Sequence, residues 1–182
     1  KEFVVQIKGS VNKIIEDAVD ENISISKIKD SDNQLLIAIT EKRTKEEHLV
    51  PDDYLRISKE ATELGATAFG IIGGEPFVKK NWDYIVAKCA PSFNHILATT
   101  NAWLFVEKLA IRCKNLGIDT IHFSLDSGVP ELHDLFRKKV GSFDRVINAI
   151  KLCKKYKIKP IINTVIHKKN LYTEAFIDVL EF

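Results

Sequence analysis

The sequence predicts an α/β fold in which a parallel sheet is covered by helices. Strand-like and helix-like segments alternate five times between residues 35 and 182. The strand-like segments are almost continuously apolar, which is typical of parallel strands buried on both faces. Because crossover connections between parallel strands are right-handed, this pattern predicts either a closed barrel or an open, doubly wound sheet.

The first two βα units each combine a short apolar run with an amphipathic segment. LLIAIT (35–40) is the first predicted strand, and the helix predicted after it starts at Pro51 with two aspartates in its first turn, as suits a helix N-terminus. Its apolar residues recur at helical spacing, and Gly65 ends it. The second unit pairs the strand TAFGII (67–72) with the helix NWDYIVAKCA (81–90).

The remaining three units follow the same pattern. Their predicted strands are HILATTN (95–101), TIHFSLD (120–126) and PIINTVI (160–166). The third helix is predicted to end at Gly117, and Ser142 is predicted to cap the fourth. The fifth helix begins in YTEAFIDVLEF (172–182).

Residues 1–34 precede the repeating units and are predicted to form an N-terminal extension. SVNKIIEDAVDEN (10–22) carries apolar residues at helical spacing, which predicts one amphipathic helix. We expect this helix to cover an edge or the bottom of the sheet. A docking surface for a partner is the alternative interpretation.

Composition excludes several classes of protein. The chain has 182 residues, 45% of them hydrophobic and 29% charged, which suits one substantial core. A net charge of +2 argues against a nucleic-acid-binding protein, and the lysines of KLCKKYKIKP (151–160) fit a solvated helix end. No segment is predicted to span a membrane or to act as a signal peptide.

The three cysteines, Cys89, Cys113 and Cys153, are odd in number and far apart. Their spacing fits neither a disulfide framework nor a metal-binding knuckle, so we expect a reduced, cytoplasmic protein. Each falls on the apolar stripe of a predicted helix, and packing is therefore its expected role.

Polar residues concentrate at the carboxyl ends of four predicted strands, where α/β proteins commonly bind ligands. After the second strand, Gly73 and Gly74 let the backbone approach a ligand closely, Glu75 supplies a carboxylate, and Pro76 prevents further strand pairing. The later strand ends carry Thr99, Thr100 and Asn101, then Ser124 and Asp126, then Asn163, Thr164 and His167. Four polar strand ends on one edge predict a binding site there.

Several motifs, in their order and spacing, resemble the core of radical S-adenosylmethionine (SAM) enzymes. The branch most similar contains the molybdenum-cofactor enzymes and the peptide maturases of the SPASM/twitch type. The similarity covers residues 35–182 and rests on GGEPF, ATTNAWL, IHFSLDS, ELHDLFRKKVGSFDRVINAI and INTVIHKKN. The resemblance implies a partial parallel (β/α)6-type barrel, with five βα units in this sequence, that holds SAM and a [4Fe–4S] cluster.

The resemblance also implies roles for the polar strand ends. The turn Gly73–Pro76 is expected to hold the methionyl ammonium of SAM, for which open backbone and one carboxylate are suited. Ser124, Asn101 and Asn163 are expected to contact the carboxylate or ribose of SAM. Arg137 matches an arginine able to bind a carboxylate with two donors, whereas Asp126 is either a ligand contact or a residue that sets the turn. His133 and Asp134 are expected to orient their loop.

One departure from the family pattern concerns the cluster. The family's C-x3-C-x2-C loop should follow the first strand, but residues 35–50 contain no cysteine, and cysteine thiolates hold such clusters. Either the protein has lost its cluster, or a cysteine loop near Thr40–Glu41 is missing from the printed chain. The absence of methionine and the end of the chain before a sixth unit favour the second interpretation; it predicts a break between residues 40 and 41.

Three functions therefore remain open. The first is a radical SAM enzyme whose cluster cleaves SAM to a 5′-deoxyadenosyl radical that abstracts hydrogen from a small-molecule or peptide substrate, with flavodoxin or ferredoxin as reductant. The second is a degenerate, cluster-free protein that binds SAM or serves as a non-catalytic scaffold. The third is a metal-free lyase or isomerase with Glu75 or Asp126 as base, for which the sequence shows no paired acid.

Overall fold

The computed structural model describes residues 2–7, 23–29, 35–41, 51–166 and 178–179. The chain divides into two compact units, residues 1–98 and 99–182. The fold class is α/β, as predicted. Four parallel strands alternate along the chain with helices, an arrangement consistent with a partial barrel.

The first unit combines an antiparallel part with the start of the parallel part. Its strands are β1 (Glu2–Ile7), β2 (Ile23–Lys29), β3 (Leu35–Glu41), β4 (Ala66–Ile71) and β5 (His95–Thr100), the last of which runs on into the second unit. Its helices are α1 (Pro51–Glu63) and α2 (Trp82–Cys89). β4 and β5 are parallel, with Phe69 opposite Ile96. Between α2 and β5 the backbone N–H of Asn94 donates to the carbonyl of Thr67, 2.9 Å away, which fixes the entry into β5.

The prediction that the strand at 35–40 would pair in parallel with the next strand is wrong. β3 is antiparallel to both β1 and β2, and β1 pairs antiparallel with β4. The edge of β4 is thus taken by β1, a strand that the sequence analysis did not assign. The predicted helix within residues 10–22 lies outside the described residues.

The predicted break between residues 40 and 41 stays a prediction. Both residues belong to β3, and Thr40 and Glu41 pair with Ser24 and Ile23 of β2.

The second unit consists of α3 (Glu107–Asn115), β6 (Thr120–Ser124), α4 (Pro130–Arg137), α5 (Ser142–Lys155) and β7 (Lys159–Asn163). β6 and β7 are parallel, and Ser124 lies opposite Asn163. The core contains the fully buried side chains of Ile121 and Phe123 from β6, and Phe123 packs edge-on against Phe105 with ring centroids 5.5 Å apart. This core fixes the carboxyl ends of β6 and β7 beside each other.

The ends of the helices agree in part with the sequence predictions. Gly117 follows the third helix in the left-handed conformation, with a φ of +80°, as a terminating glycine should. The fourth predicted helix corresponds to α5. Its N-cap is Gly141 and not Ser142 as predicted. Of the fifth predicted helix the structure describes residues 178 and 179, which are helical. Within the described parts of the chain, no helix combines the length and apolar character needed to cross a bilayer.

Candidate functional site

The turn after β4 is anchored by one aromatic side chain. Gly73 has a φ of +120°, a value that favours glycine, and a 3₁₀ turn follows at Pro76–Val78. Phe77 is buried and packs edge-on against Trp82, with ring centroids 5.0 Å apart. Glu75 precedes this 3₁₀ turn as its N-cap, and its Oε1 lies 3.5 Å from the Phe77 backbone nitrogen, a long hydrogen bond. The turn therefore holds a carboxylate at the carboxyl end of β4.

A lysine that the sequence analysis did not single out ties this turn to α1. The Nζ of Lys79 donates to the hydroxyl of Tyr54 at 2.9 Å and lies 4.7 Å from the centre of its ring. Tyr54 is itself buried. The contact joins residues 25 positions apart, so no local spacing rule could have revealed it.

Two side chains shape the turn that follows β5. The hydroxyl of Thr100 accepts from the Ala102 N–H at 3.1 Å, and Oδ1 of Asn101 accepts from the Trp103 N–H at 2.9 Å. Ala102 is fully buried with a φ of +65°, a strained conformation for a residue with a Cβ. The amide oxygen of Asn101 thus has a structural role in addition to any contact with a ligand.

Beyond their last residues, β6 and β7 stay joined by hydrogen bonds. The backbone N–H of Leu125 donates to the carbonyl of Asn163 at 3.0 Å, and the hydroxyl of Thr164 donates to the carbonyl of Leu125 at 2.7 Å. Oδ1 of Asp126 accepts from the Val165 N–H at 3.0 Å. The polar segments after the two strands therefore form one connected surface.

An ion pair joins this surface to α4. The Nε of Arg137 lies 2.7 Å from Oδ2 of Asp126, whose side chain is only 7% exposed. Both oxygens of Asp126 are thus engaged by protein groups, which supports a turn-setting role. Nε of Arg137 is buried and makes no hydrogen bond of acceptable geometry among the described residues, so its contact with Asp126 is an ion pair defined by distance. The planar guanidinium carries further donors of the kind that bind a carboxylate.

His133 and Asp134 hold their loop in place, as predicted. The Nδ1 of His133, which is buried, accepts from the Asp126 N–H at 3.2 Å. Burial lowers its pKa, and the neighbouring charge of Arg137 lowers it further, so the imidazole is neutral at pH 7 and carries its proton on Nε2.

Asp134 connects α4 to the start of α5. Its carboxylate accepts from the backbone N–H groups of Phe143 and Gly141 and from the hydroxyl of Ser142. These bonds, that from Phe143 first, lower the pKa of Asp134. Asp134 thus supplies the cap that the sequence analysis assigned to Ser142.

The face of β6 that carries Ser124 also carries His122, which the sequence analysis did not assign to the site. The Nδ1 of His122 lies 3.3 Å from Oδ1 of Asn163. Strand alternation could have found His122, because it lies two residues before Ser124 and so projects from the same face.

The cysteines present do not fit an iron–sulfur cluster. Cys113 and Cys153 are fully buried, and burial raises the pKa of each to about 12. Burial also raises the pKa of Cys89. Cluster ligands are thiolates, whereas these groups are protonated thiols. The described part of the chain contains no group of three or more His, Cys, Asp or Glu side chains placed to hold a metal ion.

The polar groups of the second unit are of the chemical kinds that suit part of a SAM molecule. Ser124 and Asn163 lie opposite each other, and Asp126 orients Arg137 nearby in the chain. A hydroxyl, an amide and a guanidinium suit the ribose and carboxylate of SAM. That Asn101 and the turn Gly73–Pro76 join these residues stays a prediction.

Comparison with protein families matches residues 25–182 to the model of the radical SAM superfamily. The chain is 30% identical over 132 residues to the GTP 3′,8-cyclase of Syntrophomonas wolfei, covering 71% of this chain and 40% of that protein. It is 28% identical over 123 residues to the PqqA peptide cyclase of Granulibacter bethesdensis, covering 68% of this chain and 33% of that protein. The chain thus spans well under half the length of these curated relatives.

The fold is similar to that of SuiB from Streptococcus suis. The crystal structure of SuiB bound to S-adenosylmethionine matches with a TM-score of 0.61 and 24% identity, covering 73% of this chain and 30% of SuiB. The structure of SuiB bound to its precursor peptide SuiA matches with a TM-score of 0.62, covering 76% of this chain and 31% of SuiB. This likeness shows a shared fold.

Proposed function

The chain belongs to the radical SAM superfamily, a family of enzymes, and from that membership we propose that it forms the SAM-binding core of a radical SAM enzyme. The observation that carries the proposal is the connected polar surface after β6 and β7, where Ser124, Asp126, Arg137 and Asn163 lie. Strand carboxyl ends are the usual ligand-binding edge of parallel α/β folds.

The proposed contacts divide SAM into two parts. The turn Gly73–Pro76 binds the methionyl ammonium, with the carboxylate of Glu75 as its counter-charge. Arg137 binds the carboxylate of SAM through its terminal nitrogens, while Asp126 fixes the orientation of the guanidinium from the other side. Ser124, Asn101 and Asn163 supply hydrogen bonds to the carboxylate or ribose.

In this family a [4Fe–4S] cluster supplies the electron that cleaves SAM reductively. Because Cys89, Cys113 and Cys153 do not fit a cluster, we assign that part of the reaction to no residue of this chain. The cysteine loop near Thr40–Glu41 is proposed to belong to the complete polypeptide.

A second candidate function is a cluster-free, SAM-binding member of the same family. It is favoured by the absence of cysteine from residues 35–50 of the sequence. In this case the chain binds SAM without cleaving it reductively.

Iron and acid-labile sulfide analysis of the complete gene product, purified without oxygen, separates the two. About four iron and four sulfide per polypeptide, with formation of 5′-deoxyadenosine from SAM under reduction, are expected for the enzyme. SAM binding without iron would support the cluster-free member. Neither iron nor SAM binding would leave only a shared fold.

The substrate class proposed is a small molecule or a peptide. The relatives include proteins named for GTP and for the PqqA peptide, and one SuiB structure contains a precursor peptide. Flavodoxin or ferredoxin is the proposed reductant, and the cytoplasm the proposed location. We further propose residues 35–182 as the catalytic core and 1–34 as an extension to it.

A further inference from the structure

The two faces of β6 differ in chemistry. Ile121 and Phe123 are fully buried on one face, whereas Thr120, His122 and Ser124 are half-buried on the other. Strands of parallel sheets are normally buried on both faces. This face of β6 therefore presents polar groups beside Ser124, the residue proposed to contact SAM.

His122 contacts a residue of the neighbouring strand that is not its direct partner in the register. The strand register places His122 opposite Ile161, yet its Nδ1 contacts the amide of Asn163, which lies opposite Ser124. Ser124, Asn163 and His122 form one continuous polar group on this face.

The chemistry of the imidazole follows from its surroundings. The Oδ1 of Asn163 can only accept a hydrogen bond, so Nδ1 of His122 carries the proton and Nε2 is an acceptor. Burial lowers the pKa of His122, the hydrogen bond with Asn163 raises it, and the positive charge of Lys159 lowers it. The net shift is downward, so His122 is neutral at pH 7. Among the described residues Nε2 has no hydrogen-bond partner.

We propose that Nε2 of His122 accepts a hydrogen bond from bound SAM. The ribose hydroxyls and the adenine amino group of SAM are donors of the required kind. Ser124 is proposed to hold SAM on the same face, and His122 is the next polar side chain along that face. This inference rests on the proposed function, because it requires that the chain bind SAM.

The test follows the imidazole nitrogens of the protein by nuclear magnetic resonance, with and without saturating SAM. The chain has five histidines, and the variant His122→Gln identifies the signal of His122. SAM is expected to shift the Nε2 resonance of His122 and to lower its pKa further, because protonation of Nε2 competes with the hydrogen bond. The signal of His95, exposed at the start of β5, should stay unchanged.

Binding provides a second readout. SAM affinity measured by calorimetry should be constant near neutral pH and should fall as pH drops through the lowered pKa of His122, because the imidazolium has no acceptor. His122→Gln should weaken SAM binding at pH 7.5 about threefold to tenfold, the effect of one hydrogen bond, and should remove this pH dependence. His95→Gln should change neither quantity.

The outcomes separate this inference from the proposed function. If SAM binds but leaves the Nε2 resonance and the pKa of His122 unchanged, the inference is overturned and the proposed function stands. If SAM does not bind, the proposed function fails, and the inference with it. Should His122→Gln fold poorly, His122→Asn identifies the signal of His122 in its place, and the wild-type spectra with and without SAM decide.

Discussion

The ion pair between Asp126 and Arg137 should couple the two residues energetically. We consider the variants Asp126→Asn, Arg137→Met and the double variant. The Asp126 side chain is 7% exposed and that of Arg137 is 27% exposed, so the pair lies between a buried pair, whose disruption costs about 3–5 kcal/mol, and a surface pair worth about 0–1 kcal/mol. We expect a coupling free energy of about 1–2 kcal/mol.

The Asn variant keeps an oxygen for the Val165 N–H, which bonds Oδ1 of Asp126 at 3.0 Å. Asp126→Ala removes that hydrogen bond as well and should cost about 1 kcal/mol more. For Asp126→Ala the free energy of unfolding should thus fall by about 2–3 kcal/mol in total, which corresponds to a fall in Tm of about 4–12 °C for a chain of this size. Arg137→Ala should therefore also destabilise the fold.

Chemical unfolding of the wild type, Asp126→Asn, Arg137→Met and the double variant measures the coupling free energy as the departure from additivity. The exposed pair Arg56–Glu60, whose side chains are 64% and 57% exposed, is the matched control, with an expected coupling of about 0.3 kcal/mol. If Asp126 and Arg137 prove additive within about 0.5 kcal/mol, the ion pair does not hold the loop and this reasoning is refuted.

Three further predictions concern other parts of the fold. The pKa of Asp134 is lowered in the folded protein, so its carboxylate stabilises the fold above the unfolded pKa and loses that effect as pH falls through the folded pKa. Asp134→Asn should therefore flatten acid unfolding at pH values below the ordinary pKa of an aspartate, and an unchanged profile would contradict this. An added Cβ at Gly128 would lie 2.8 Å from the backbone carbonyl carbon of Asp178, so Gly128→Ala should lower the free energy of unfolding by about 1–3 kcal/mol, measured by thermal unfolding. An unchanged stability would mean that this packing is absent. The pKa values of Cys113 and Cys153, about 12 each, predict no alkylation by iodoacetamide at pH 8 until the protein unfolds, and rapid modification of native protein, detected by mass spectrometry, would be the opposing result.

The parallel part of the fold could be predicted because each strand is a short apolar run followed by a helix with a clear stripe. The boundaries were less accurate. TIHFSLD was predicted as a strand over 120–126, whereas β6 ends at Ser124. Asp126 instead uses its side chain to bind Val165 and Arg137, and a residue's choice between ladder and side-chain bonding has no signature in sequence.

The antiparallel strands β1 and β2 were missed, although ISISKIK, the sequence of β2, has the period of two that indicates a strand. The helical pattern of residues 10–22 favours a helical extension over residues 1–34. The pairing of β1 with β4 therefore could not be expected from it.

The polar strand ends were found because strand ends are local features, but their supports were not. Asp134 reaches Gly141 and Phe143, seven and nine residues away, and His122 contacts Asn163 across 41 residues. Such contacts depend on how the elements pack, and no spacing in the sequence encodes them.

Isothermal titration of SAM against the wild-type protein and the variants Ser124→Ala and Glu75→Gln tests the central claim most directly. Ser124→Ala removes a hydroxyl from the carboxyl end of β6, and Glu75→Gln removes the charge proposed to bind the methionyl ammonium. Ser92→Ala, in an exposed position before β5, is the control for loss of a hydroxyl. The account predicts that wild type and Ser92→Ala bind SAM alike and that both site variants bind it several-fold more weakly. Equal affinity in all four proteins, or no binding by the wild type, would contradict it.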